Sequence, residues 1–175
     1  MKKHQVIKQD GFTLIELLVT LSVVSILLTV AVPSYRVFMQ DSLLLTQSNS
    51  FYAAMMLAKS EAVKRSSPAT ICPSTTGVGC TGGAVWSNGW IVFSDPNGDG
   101  VVDAGEQIIQ VGAAFTGGNG LSGNNGTRVT FAASGFTAGF NGTFSLCDDR
   151  GAAMSKRLIL SNQGRLRTET GGGAC

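Results

Sequence analysis

Nineteen residues without a charge separate Glu16 from Arg36, and most of them are apolar. At ~1.5 Å per residue, such a run is enough helix to cross a bilayer core of about 30 Å. One carboxylate, Glu16, stands near its start, and an acid left alone in hydrocarbon costs roughly 2.5–3.5 kcal/mol. Pro33 can kink or loosen a helix without ending it. Residues 34–65 contain neither Pro nor Gly, and Leu44, Phe51, Met55, Ala58 and Ala62 recur at spacings of three, four and seven. That is the stripe of an amphipathic helix, with Lys59, Glu61, Lys64 and Arg65 on its other faces. Bases in the last turn suit the negative end of the helix dipole, and Ser66-Ser67-Pro68 stops the helix. One helix over residues 12–65 is therefore predicted, membrane-spanning over about 12–35 and carrying a domain on its second half.

Beyond Pro68 the pattern changes to short apolar runs between Gly, Asn, Ser and Thr. Five Asn-Gly pairs occur, at Asn88, Asn97, Asn119, Asn125 and Asn141. Both residues of such a pair tolerate positive φ, which makes it the strongest short hairpin signal. The β-like runs between them cover 69–73, 85–94, 107–115, 127–133, 142–147, 156–161 and 165–168. The prediction is an α+β fold: a long N-terminal helix packed against an antiparallel β-rich domain over residues 66–175. Trp86, Trp90 and Phe93 could offer nucleic acid a stacking surface. Trp86 and Trp90 are expected on one strand face, where core against the helix is the simpler reading. Residues 112–125 match no pattern and read as a loop.

Charge changes this picture at both ends. The formal net charge is +2, and residues 1–11 hold three Lys against one Asp, so the remaining chain is balanced. Bases ahead of the apolar run place the N-terminus in the cytoplasm. From Arg150 onward, Lys156, Arg157, Arg165 and Arg167 are opposed only by Glu169, whereas the preceding part of the chain after residue 11 is net acidic. The single histidine, His4, precedes the apolar run. With none after it, Ser-His and Cys-His nucleophilic sites and histidine metal sites are excluded there, and an enzyme is not expected. The cysteines, Cys72, Cys80, Cys147 and Cys175, lack the close spacing of zinc sites. In an exported domain they read as two disulfides, with three possible connectivities. Locality favours Cys72–Cys80, which leaves Cys147–Cys175.

The order of parts at the N-terminus is specific. A polar stretch ends at Gly11, and GFTLIE opens the apolar run, with no small-residue cleavage pattern after it. This resembles the type III signal of type IV pilins and type II secretion pseudopilins. The resemblance implies a leader over residues 1–11, cut by a prepilin peptidase between Gly11 and Phe12. Phe12 would become the methylated N-terminus, and Glu16 would meet the amine of a neighbouring subunit during assembly. Trp86-x-x-Gly89-Trp90-x-x-Phe93-x-Asp95 and the closing Gly164-Arg165-Leu166-Arg167 resemble the FimT/GspH group of minor pilins and pseudopilins. That group implies a single-pass inner-membrane precursor with a periplasmic domain, later incorporated into a filament of major and minor pilins.

Two further patterns bear on chemistry. Asp95-Pro-Asn97-Gly-Asp99-Gly100-Val-Val-Asp103-Ala-Gly-Glu106 fits a calcium loop, with oxygen donors at positions one, three, five, nine and twelve and Gly at six. A solvated loop explains the same residues, since Asp, Asn and Gly are good turn formers. In a strand, Arg165 and Arg167 project together, about 6.6 Å apart, while Leu166 faces the core. Paired guanidiniums can contact successive phosphates. The motif also resembles the tail of FimT-type pilins that bind DNA during natural transformation. With help from Lys156 or Arg157 it implies non-specific DNA binding. The alternative is a purely structural subunit that primes a type IV pilus or a type II secretion pseudopilus.

Overall fold

The computed structural model describes residues 11–137 and 139–175, so the expected leader lies outside it apart from Gly11. Helix α1 runs Leu14–Arg65 and passes Pro33 unbroken. It begins two residues later than predicted because Thr13 caps it. The Thr13 Oγ1 accepts the Glu16 N–H at 3.3 Å, and the Thr13 carbonyl accepts the Leu17 N–H at 3.2 Å. Thr13-x-x-Glu16 is the sequence of a capping box. The first part of α1 has a mean hydropathy of 2.5 over 18 residues, with none of that window buried. Its length and composition suit a membrane span.

The chain divides into two units, one ending at Met39 and one covering Gln40–Cys175. In the second, eight strands among the described residues form two antiparallel sheets. They are β1 (Ala69–Pro73), β2 (Trp90–Ser94), β3 (Ile108–Gly112), β4 (Gly120–Gly123), β5 (Val129–Phe131), β6 (Gly142–Cys147), β7 (Lys156–Leu160) and β8 (Leu166–Thr170). The sheet orders are β3-β2-β1-β5 and β4-β6-β7-β8. The α+β architecture is as the sequence predicts.

Residues 40–65 of α1 supply the spine of the core through Leu44, Phe51, Ala54, Met55, Ala58 and Ala62. Phe51 is its centre. It meets Trp86, Trp90 and Phe144 edge-on, with ring centroids 5.4, 5.4 and 5.1 Å apart. Both tryptophans are buried, which takes them out of reach of any stacking ligand. They do not share a strand. Trp90 opens β2, while Trp86 sits in the preceding loop, its backbone N–H bonded to the Leu121 carbonyl at 2.8 Å. That bond falls on the free edge of β4, which the sequence reading left in a loop. Gly-Leu-Ser-Gly carries no strand propensity, yet β4 pairs with β6 and drives Leu121 into the core.

The Asn-Gly pairs do not make tight hairpins. Gly120 and Gly142 begin strands, while Gly89, Gly98 and Gly126 take positive φ inside longer loops. The tight hairpin joins β7 to β8. There Gly164, at φ +68°, donates its N–H to the Ser161 carbonyl, and the Ser161 N–H reaches the Arg165 carbonyl at 3.0 Å.

Candidate functional site

The β7–β8 hairpin positions the basic residues. Leu158, Leu160 and Leu166 are buried on its inner face. The register sets Ile159 opposite Arg167 and Arg157 opposite Glu169, so these four share the outward face. Arg165 precedes the strand at the same parity and is exposed. Helix α1 fixes the hairpin's tip, where the Lys59 ammonium donates to the Gly164 carbonyl at 2.9 Å. Gly164 also lies against Gly135, whose carbonyl a side chain there would strike. The Gly of Gly-Arg-x-Arg therefore serves packing.

The bases expected to act together are only partly brought together. Lys156 has the parity of the inner face and bonds Thr170 Oγ1 at 2.8 Å, so it does not join Arg165 and Arg167. Arg157 shares their face but pairs with Glu169 at 2.7 Å. Glu169 also reaches Arg167, at 3.5 Å, whose side chain remains 62 % exposed. Arg165 has no ion pair among the described residues. Arg150 is withdrawn altogether, paired with Asp148 at 2.7 Å and with Asp41 of α1 at 2.8 Å. Burial pushes the Asp148 carboxyl up, but the Arg150 hydrogen bonds and charge outweigh it and hold it below its ordinary value. The same bonds hold the Arg150 guanidinium above its own against burial.

Disulfides join Cys72 to Cys80 and Cys147 to Cys175. The second ties the glycine-rich tail back over β6 and β7. On the way, the Gly173 N–H donates to Ser155 Oγ at 2.9 Å and the Ala174 N–H to Ser145 Oγ at 3.1 Å. The tail therefore borders the basic face. In the loop over residues 95–106, Asp95 is fully buried and its Oδ2 accepts from Thr70 Oγ1 and the Gly100 N–H. Asn97 Nδ2 donates to both Asp99 and Asp103 at 3.0 Å. Among the described residues, no three Asp, Glu, Cys or His side chains are gathered closely enough to hold an ion as they stand.

A family profile for the type II transport protein GspH matches residues 47–164. The chain belongs to the GspH family. A profile for the prokaryotic N-terminal methylation motif matches residues 7–32, which takes in Gly11, Phe12 and Glu16. The fold is similar to that of the type IV minor pilin FimU of Pseudomonas aeruginosa in two crystal forms. One has 20 % identity over 75 % of this chain and 92 % of that chain, TM-score 0.59; the other has 22 % over 70 % and 91 %, TM-score 0.53. It is also similar to the minor pseudopilin EpsH of the Vibrio cholerae type 2 secretion system, with 14 % identity over 73 % and 96 % and TM-score 0.52. No curated protein matched the sequence. As a GspH-family chain with a methylation motif, the protein is a minor pilin or pseudopilin, a component of an assembly rather than an enzyme. The long apolar helix and the leader motif fit a membrane anchor.

Proposed function

We propose that this GspH-family subunit joins a type IV pilus and presents Arg165 and Arg167 to DNA during uptake, without sequence preference. A prepilin peptidase cuts between Gly11 and Phe12, and the new N-terminus is methylated. The span over about 12–35 holds the precursor in the inner membrane, with its N-terminus cytoplasmic and its domain periplasmic. Glu16 then meets the N-terminal amine of a neighbouring pilin in the filament. The observation that carries the DNA reading is the pair of arginines at one parity beside and on an edge strand, one without an ion pair among the described residues and the other well exposed. Phosphates bind such guanidiniums in the forked geometry that suits Arg.

With Lys156 on the other face, the site contacts about two phosphates, or three if Arg157 leaves Glu169. Affinity should fall with salt with a logarithmic slope of about −2 to −3, from a dissociation constant of about 10⁻⁴–10⁻⁶ M. Copies along a filament raise it by avidity. The test is Arg165→Gln with Arg167→Gln in the full chain. DNA gel shifts and uptake should be lost while pili still assemble. Loss of pili as well as uptake would assign the arginines to subunit packing.

Glu169 favours a second reading, a subunit that primes a pilus or a type II secretion pseudopilus and touches only other pilins. It already neutralises part of the face by pairing with Arg157 and Arg167. Glu169→Gln separates the two. It tightens DNA binding several-fold if phosphates compete with that carboxylate, and leaves the gel shift blank if DNA is no ligand.

A further inference from the structure

We infer that the loop over residues 95–106 is a calcium site, a property separate from the basic face. The first observation is an orphaned atom. Asp95 is completely buried. One carboxylate oxygen accepts from Thr70 Oγ1 at 2.6 Å and from the Gly100 N–H at 3.0 Å. The other, Oδ1, is buried with no partner. A buried carboxylate oxygen left bare is costly unless a cation takes it. Oδ2 is held between Thr70 of β1 and the Gly100 N–H in the middle of the loop, so the carboxylate lies against the loop's backbone at position six.

The donors around that oxygen are hard and anionic. Asp95, Asp99, Asp103 and Glu106 place four carboxylates within twelve residues that contain no base. The Asn97 Nδ2 amide stands 3.0 Å from both Asp99 Oδ2 and Asp103 Oδ2. Those two oxygens are therefore no more than about 6 Å apart. Calcium binds oxygens at 2.3–2.6 Å, so two ligands across it lie up to about 5 Å apart. A contraction of about 1 Å, with the Asn97 amide turned to present its oxygen, converts a neutral donor at the centre into a cation. Charge neutralisation favours that exchange, because the amide satisfies the acids' hydrogen bonding and leaves their repulsion in place. Asp95, Asn97, Asp99, the Val101 carbonyl and Glu106 supply the ligands, with Asp103 direct or through water.

Gly100 meets the demand for glycine at position six twice over. Its φ is +71°, and a Cβ there would fall 2.1 Å from Arg128 Cδ. Val102 packs with Ile91, Phe93, Ile108 and the Cys72–Cys80 pair. An ion in the loop would therefore fix the face of the first sheet that α1 does not cover.

The experiment titrates CaCl₂ into the full chain in detergent after treatment with a chelator. Calorimetry should show one saturable site, and the melting temperature should rise by several degrees over the chelated sample. MgCl₂ at equal concentration should do neither, because magnesium sheds its waters reluctantly. Asp103→Asn with Glu106→Gln should remove both calcium effects and leave the calcium-free melting temperature level or raised. Equal melting in CaCl₂ and chelator, a heat trace like the buffer blank, or an equal response to magnesium would overturn the site. All three read the unaltered protein, so a variant that fails to fold cannot obscure the result.

Discussion

At Gly112 a missing side chain makes room for a large one. Gly112 stands opposite Trp90 in the β2–β3 register, and a Cβ there would fall 2.1 Å from the Trp90 ring. That ring is buried against Phe51, so it has nowhere to move without opening the core. Gly112→Ala should therefore cost about 1–3 kcal/mol of stability, as overpacking does, read as a lower denaturant midpoint at unchanged slope. The Asp148–Arg150 pair gives a pH prediction at the same scale. Asp148 has a folded-state value below its unfolded 3.8. Its stabilisation is present above pH ~4 and is lost as pH falls through the depressed value. Arg150→Met leaves a carboxylate that is 3 % exposed without its partner. That variant should lose about 1–3 kcal/mol at neutral pH and show a flatter acid limb in its stability curve.

Among the elements, the tail shows how a segment without propensity is ordered. Gly171 to Ala174 form no strand, but Ser145, Ser155 and the Ala152 carbonyl receive their N–H groups and Cys175 closes a bridge to Cys147, 28 residues earlier. Cys147→Ser with Cys175→Ser should cost about 2–5 kcal/mol and release the tail, seen as faster amide exchange on β6 and β7. Helix α1 depends on an oxygen at its start. Thr13→Ala should leave the first turn frayed, at a cost of about 1 kcal/mol to the helix. The Thr13-x-x-Glu16 cap, which the expected start at residue 12 missed, gives Glu16 a place in the helix's first turn besides any role between subunits.

For the whole molecule, the decisive step precedes assembly. If the leader is cut after Gly11, the mature chain begins at Phe12 and intact mass reads residues 12–175 plus one methyl group. Gly11→Leu should leave the full precursor mass in the membrane fraction. Glu16→Ala should be cut at the normal position but enter filaments poorly. Normal processing of the Gly11 variant would remove the leader assignment, and normal incorporation of the Glu16 variant would remove its role between subunits.

What the chain alone determined was periodic or local. The uncharged run, the helical stripe through Phe51 and the GFTLIE motif each rest on near neighbours, and so does the change from helix to strands around Pro68. β4 was hidden because Gly120–Gly123 becomes a strand only by pairing with β6 and burying Leu121. The joint burial of Trp86 and Trp90 was visible as apolarity, but their approach to Phe51 from a loop and a strand was not. The basic face shows the difference most clearly. Charge counting joined Arg150, Lys156, Arg157, Arg165 and Arg167. Strand parity then separated Lys156, the register handed Arg157 to Glu169, and Asp41 on the distant helix took Arg150. Composition fixes how many charges a segment holds. Which of them stay free depends on contacts between residues far apart in the chain, and only the tertiary structure sets those.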